Sequence, residues 1–265
     1  MTSHPTLTDR SIASLRRQHD QLAALVPTLT DDQLTGPSGA SDWQVAQVLS
    51  HLGSGAEIGL AGYRAAVEGS QRPGDGFNQD VWDTWNARTP REQAEAFLEA
   101  DEDAVAFLEG LSAEQRESVT VDLGFLPAPV SLTTVVGMRL NEVTSHSWDA
   151  RVGVDPAAEF DSEGAALVLE HFTGPLGFLL GWSGKADRLE TPAVVAVEGT
   201  ESAIAVTDDV RVLRGHSGAT ATLTGGAEAA VRLLGGRLRE EHAPAHVRVT
   251  GNVSLDDLRK VFPGY

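Results

Sequence analysis

Residues 139 to 149 read Arg139-Leu140-Asn141-Glu142-Val143-Thr144-Ser145-His146-Ser147-Trp148-Asp149. Leu140, Val143 and Trp148 continue an apolar spacing that starts at Leu132, Val135 and Val136, which predicts one helix face. Ser131 is placed to cap that helix, which runs to about Val152. Glu142 and His146 lie four residues apart within it, so both side chains leave the same face and can reach one ion. A plain surface pair is the alternative, contributing ~0.2–0.5 kcal/mol. Spacing leaves both readings open.

Working outward, the first two thirds of the chain read as helical. Ile12, Leu15, Leu22 and Leu25 recur at helical spacing, with Arg16, Arg17 and Asp20 between them. Ser41 with Gln44 forms a capping-box pattern before Trp43, Val45, Val48, Leu49 and Leu52. Thr89-Pro90-Arg91-Glu92 is a second box, opening a helix through Ala94, Phe97, Leu98, Val105 and Leu108. Between these two helices, Gly69 to Asn86 reads as a loop bordering a pocket, with Phe77, Trp82 and Trp85 at its mouth or packed down as a lid. Phe160 to Trp182 reads as one helix or two half-helices broken at Gly174-Pro175.

From about Leu189 the texture changes. Ala193 to Val197, Ala203 to Val206, Thr220 to Thr224 and Val247 to Val249 read as strands. Ala227 to Leu234 and a terminal segment capped by Ser254 read as helices. The predicted fold class is α+β: a helical bundle over residues 1–185, then a small α+β domain over 186–265.

The chain has 265 residues, 38 acidic against 20 basic, for a formal charge of -18. Such a surface repels nucleic acid and anionic membrane, so neither is an expected partner. No apolar run reaches the ~18 residues that span a bilayer, and Met1 to Asp9 lacks a signal-peptide core. The expected compartment is the cytoplasm. With no cysteine, any metal must be held by His, Asp or Glu, and any reactive sulfur must come from a ligand.

Of the eight histidines, His4 lies in the polar terminus and His19 on the polar side of the first helix. His171 and His216 have no acidic or His partner at i+4. His242 and His246 flank Pro244, which breaks the helix they would need to share a face. His51 stands mid-helix among Val48, Leu49 and Leu52, near the core. It is either a hydrogen-bonded core histidine or a third ligand, if its helix neighbours that of Glu142 and His146 in a bundle. Two His and one carboxylate would leave an open coordination position, as catalytic sites do.

Trp43-Gln44-Val45-Ala46-Gln47-Val48-Leu49-Ser50-His51-Leu52 resembles the first motif of mycothiol-dependent maleylpyruvate isomerases, and residues 139–149 resemble their second. These proteins belong to the DinB-like four-helix bundle superfamily. Leu233-Leu234-Gly235-Gly236-Arg237, with one extra Gly, is similar to an element of their sterol-carrier-like C-terminal domain. The resemblance implies a zinc site made by His51, Glu142 and His146, with nickel or iron as alternatives. It implies mycothiol as thiol cosubstrate, activated at the metal for isomerisation of an unsaturated acid or for S-transfer to an electrophile. Arg237 is the candidate for holding a carboxylate of thiol or substrate. Asp149, i+3 from His146, is either a surface partner or the group that orients its ring. A competing expectation is a non-catalytic metal- or small-molecule-binding protein of the same superfamily.

Overall fold

In a computed structural model, residues 4–264 are described; Met1 to Ser3, part of the polar N-terminal stretch, and Tyr265 lie outside that range. The chain forms two compact units, Met1–Glu159 and Phe160–Tyr265.

The first unit contains α1 (Leu7–Leu25), α2 (Asp31–Thr35), α3 (Val45–Glu68), α4 (Phe77–Asn86), α5 (Pro90–Gly110) and α6 (Ala113–Ser118). A two-strand ribbon follows, β1 (Thr120–Val121) and β2 (Val130–Ser131), then α7 (Leu132–Val154). Helices α1, α3, α5 and α7 make a four-helix bundle in which α1 and α3 each lie between α5 and α7. Their inner faces bury Leu15, Leu22, Leu49, Leu52, Phe97, Leu108, Leu132 and Leu140. Each such side chain contributes roughly 1.5–3 kcal/mol of burial.

The caps at Thr89 and Ser131 form as the sequence predicts, Thr89 accepting from the Glu92 amide and Ser131 from the Thr134 amide. The box at Ser41 does not. Asp42 takes φ +64° and the Trp43 carbonyl accepts from Ser38, so the chain is still turning there and α3 begins at Val45. The Gln44 amide donates instead to Gln47. The expected loop 69–86 is likewise half helix, because α4 has an inner face. Trp85 is buried on α3 and donates its indole N–H to Glu57. Gly53 makes room for that ring: a Cβ there would come within 2.1 Å of it. Trp82 is exposed.

Two buried polar clusters cross the bundle. Gln18 of α1 donates to Thr144 of α7 and accepts from Ser147. His19, expected on a polar face, is buried because α5 supplies both of its partners. Its Nδ1 lies 2.9 Å from Asp101 Oδ2 and its Nε2 lies 3.0 Å from Glu102 Oε2. Asp101 also accepts from Arg139 of α7 at 2.6 Å.

The second unit holds α8 (Ser162–Phe172), α9 (Leu180–Ser183), β3 (Ala193–Val197), β4 (Ser202–Val206), β5 (Val210–Arg214), β6 (Ala221–Leu223), α10 (Gly226–Leu234), β7 (Val249–Gly251) and α11 (Leu255–Val261). The sheet order is β5-β4-β3-β6-β7; β3 and β6 are parallel and the other pairs antiparallel. The edge strand β5, which sequence reading did not find, buries Val210 and Val212 and turns Arg211 and Arg214 outward. The unit boundary falls at 159/160 rather than 185/186. The reason is packing: α8 lies on α10 and β5, and α9 on β5, so these helices share the core of the sheet and not of the bundle.

His19 supplies a pH test of the first unit. Two carboxylates on its two ring nitrogens are satisfied together only by the imidazolium, and its pKa is raised, first by the Asp101 hydrogen bond. A raised histidine pKa adds stability that is complete below the unfolded value of 6.5 and fades as pH rises through the folded value. The deficit in melting temperature of His19→Gln should therefore be largest near pH ~6 and shrink in alkaline buffer. A deficit that grows with pH would contradict this.

Candidate metal centre

His51 leaves α3 at the edge facing α7, between the buried Leu49 and Leu52. Its side chain is 39% exposed, so it is not the core histidine its neighbours suggested. It points across the helix pair to Glu142, with Nε2 3.0 Å from Oε2. His146, one turn further along α7, has its Nε2 3.5 Å from the same oxygen. One donor atom from each of His51, Glu142 and His146 lies within 4.8 Å of the other two. The sequence-predicted trio is thus brought together in the first unit.

Asp149 fixes the trio from behind. Its side chain is 0% exposed, and its Oδ2 sits 2.9 Å from His146 Nδ1. It is therefore not a surface pair. A buried carboxylate at Nδ1 keeps a proton there and aims Nε2 at the site, where it hydrogen-bonds Glu142 while protonated and offers a lone pair to a cation once that proton is lost. Glu142 is pulled two ways: partial desolvation raises its pKa, while hydrogen bonds from His146 and His51 more than offset that and hold it well below 4.5. An ionised carboxylate between two imidazole nitrogens is a hard and borderline donor set that a divalent cation satisfies.

One wall of the site was not foreseen. The turn 36–44 lies along the end of α7, with the Gly39 amide donating to the Asp149 carbonyl at 2.8 Å. This carries the Trp43 ring over both histidines, stacked on His146 at 5.8 Å and tilted to His51 at 5.2 Å. On the other side, His51 and Glu142 form the inner end of a cleft of about 400 Å³. Its rim is built from Arg72 to Asp75, the predicted pocket-bordering loop, and from Asp122 to Phe125 between β1 and β2. Phe77 lines the cleft, whereas Trp85 is packed away against Gly53.

Arg237 belongs to the second unit. It follows the turn that ends α10, where Gly236 has φ +69°, and it donates to the Gly235 carbonyl at 3.1 Å. His242 ends a short 3-10 turn and His246 lies in the loop after it, so the two share no helix face. Among the described residues, His51, Glu142 and His146 are the group of three whose donor atoms could hold a metal. No single described helix is long and apolar enough to cross a membrane.

Comparison with known proteins identifies the family and the fold. The sequence is 27% identical over 168 residues to uncharacterized proteins from two strains of Mycobacterium tuberculosis, covering 60% of this chain and 80% of theirs. The crystal structure of the mycothiol-dependent maleylpyruvate isomerase superposes with a TM-score of 0.65 at 14% identity, covering 96% of this chain and 98% of that one. A histidine-to-alanine mutant of that isomerase gives 0.66 with the same coverage. At that identity the likeness is one of fold. The family model for the mycothiol maleylpyruvate isomerase N-terminal domain matches residues 15–151, a span that contains His51, Glu142, His146 and Asp149. The chain belongs to the mycothiol maleylpyruvate isomerase N-terminal domain family.

Proposed function

We propose that this protein is an enzyme that binds a divalent metal, zinc first, through His51, Glu142 and His146, and activates a small thiol, mycothiol, to isomerise an unsaturated acid such as maleylpyruvate. The observation that carries the reading is the convergence of three donor atoms from α3 and α7 within 4.8 Å, inside the span matched by the family. Two imidazoles and one carboxylate leave a coordination position for a further ligand. Nickel or iron would suit the same nitrogen and oxygen donors. A cation held there supplies the Lewis acidity that makes a thiol ionise near neutral pH.

The chain's own residues do the rest. Asp149 holds the His146 ring in one orientation and tautomer. Trp43 packs its ring against one side of the histidine pair. The cleft beside Glu142 receives the electrophile. In the isomerase reaction, thiolate sulfur bonds to one carbon of the cis double bond and the π pair moves onto the conjugated carbonyl as an enolate; the resulting single bond rotates, and the returning pair re-forms the alkene as trans while the C–S bond breaks and thiolate leaves. Thiol is neither consumed nor oxidised. In the same reading the protein's partners are small molecules and it works in the cytoplasm.

With maleylpyruvate and a catalytic amount of mycothiol, the trans product should accumulate while free thiol stays constant. Glu142→Gln should lower the rate about 10²–10³-fold, the scale of losing one group that stabilises charge in an active site. Thiol consumed in proportion to product would replace isomerisation by S-transfer. Metal binding with no change in thiol or substrate would favour a non-catalytic binding protein.

The orienting contact has its own test. Asp149→Asn should keep the fold and weaken zinc affinity by about 10–100-fold in competition with a chelator. Unchanged affinity would reduce Asp149 to a packing role.

A further inference from the structure

The cleft beside the trio has a second chemical pole. Arg139 stands three residues before Glu142, so α7 presents Arg139, Glu142, His146 and Asp149 along one stripe at spacings of three, four and three. Arg139 lines the cleft together with His51 and Glu142. Its side chain is only 9% exposed, and one nitrogen, Nη2, donates to Asp101, itself 2% exposed. Among the described residues, none accepts a hydrogen bond from Nη1 or Nε. Nη1 lies against Gly55 of α3, where a Cβ would come within 3.3 Å of it. The missing side chain at Gly55, which also lines the cleft, leaves that edge of the guanidinium uncovered.

A guanidinium clamped on one side by a buried carboxylate, with donors left over toward a cleft, is built to take an anion. Its planar fork suits a carboxylate better than a point charge would. Asp101 meets the guanidinium at Nη2 alone and is shared with His19, so it covers one side of Arg139 only. With Glu102 on its other ring nitrogen, His19 is balanced within its own cluster, so the pole rests on the uncovered Nη1 edge of Arg139 and not on a surplus of charge. The neighbouring walls, Ile58, Val135 and Met138, are apolar and suit a hydrocarbon body. At the rim, Arg72 is already paired with Asp75 and Asp122, so the rim is poorer in free positive charge than the interior.

We propose that Arg139 binds the anionic end of the electrophile, its Nη1 edge pairing a carboxylate while the carbon skeleton lies along Ile58, Val135 and Met138 toward His51 and Glu142. Naming that anion a substrate rests on the thiol-activating reading above; the anion pole itself does not. The role differs from the one assigned to Arg237, since Arg139 lies on the same helix as two members of the trio.

The test is calorimetric titration of the zinc-supplied full chain with trans-cinnamate, a planar unsaturated acid, and with neutral cinnamamide, with zinc content measured in parallel. Wild type should prefer the acid by at least about tenfold, as a charge-assisted pair does. Arg139→Gln alone would strand Asp101, so the decisive variant is Arg139→Gln with Asp101→Asn, which removes both charges together. It should lose the preference for acid over amide while keeping its zinc. Gly55→Val covers Nη1 without touching Asp101 and should also lose the preference, which keeps the test open if the double variant does not fold. Arg139→Lys should retain part of it. A wild-type preference that survives in either Arg139→Gln/Asp101→Asn or Gly55→Val overturns the proposal, as does a wild-type protein that binds neither probe. Absence of zinc with the preference intact would instead overturn the metal reading and leave the anion pole standing.

Discussion

Everything at the site depends on α3 and α7 packing side by side with His51 level with Glu142. The contact joins residues 91 positions apart, so it exists only once the bundle has closed. A slip of one residue in either helix would turn its donor by about 100° and leave a carboxylate beside one imidazole instead of two. The packing that prevents such a slip is ordinary. Leu49 and Leu52 of α3 and Leu140 and Val143 of α7 are all fully buried, and they bracket the donors on both helices. The bundle core thereby does the work of positioning a polar group at its edge.

The second feature is how charge is held inside so acidic a protein. Asp149 and Asp101 are both withdrawn from water, and each is matched to a partner on α7, His146 or Arg139. Removing one member of such a pair leaves a buried charge behind and typically costs about 3–5 kcal/mol. The benefit is orientation: one carboxylate sets the tautomer of a candidate metal ligand, and the other fixes a guanidinium against the cleft. Buried acids acting as anchors for basic groups explain why α7 carries its chemistry on a single stripe.

Much of this was legible in the sequence, and the misses have local causes. Helix caps at Thr89, Ser131 and Ser254 read directly, because each depends on residues three apart. Ser41 misled because Asp42 adopts a left-handed conformation, which Asp tolerates better than most residues but which the capping pattern does not reveal. Helix α4 was hidden by its Gly- and Asp-rich approach, and its reason to exist, the Trp85 ring over Gly53, is a contact between helices. His19 looked like a surface residue because its sequence neighbours are charged; the acids that bury it come from α5. Glu142 and His146 were visible from spacing, but His51 joined them only through family resemblance. Arg139 stood in the same quoted stretch, and its stripe with Glu142 could have been read there. What the sequence could not supply was Asp101 on the far side.

The central claim is that His51, Glu142 and His146 hold one divalent ion. Elemental analysis of purified chain, wild type beside His51→Ala, tests it most directly. The account predicts about one zinc per chain in wild type and its loss in the mutant, since metal bound by a preformed site depends on every ligand. Wild-type protein that retains no metal after zinc is supplied and the excess removed would contradict it.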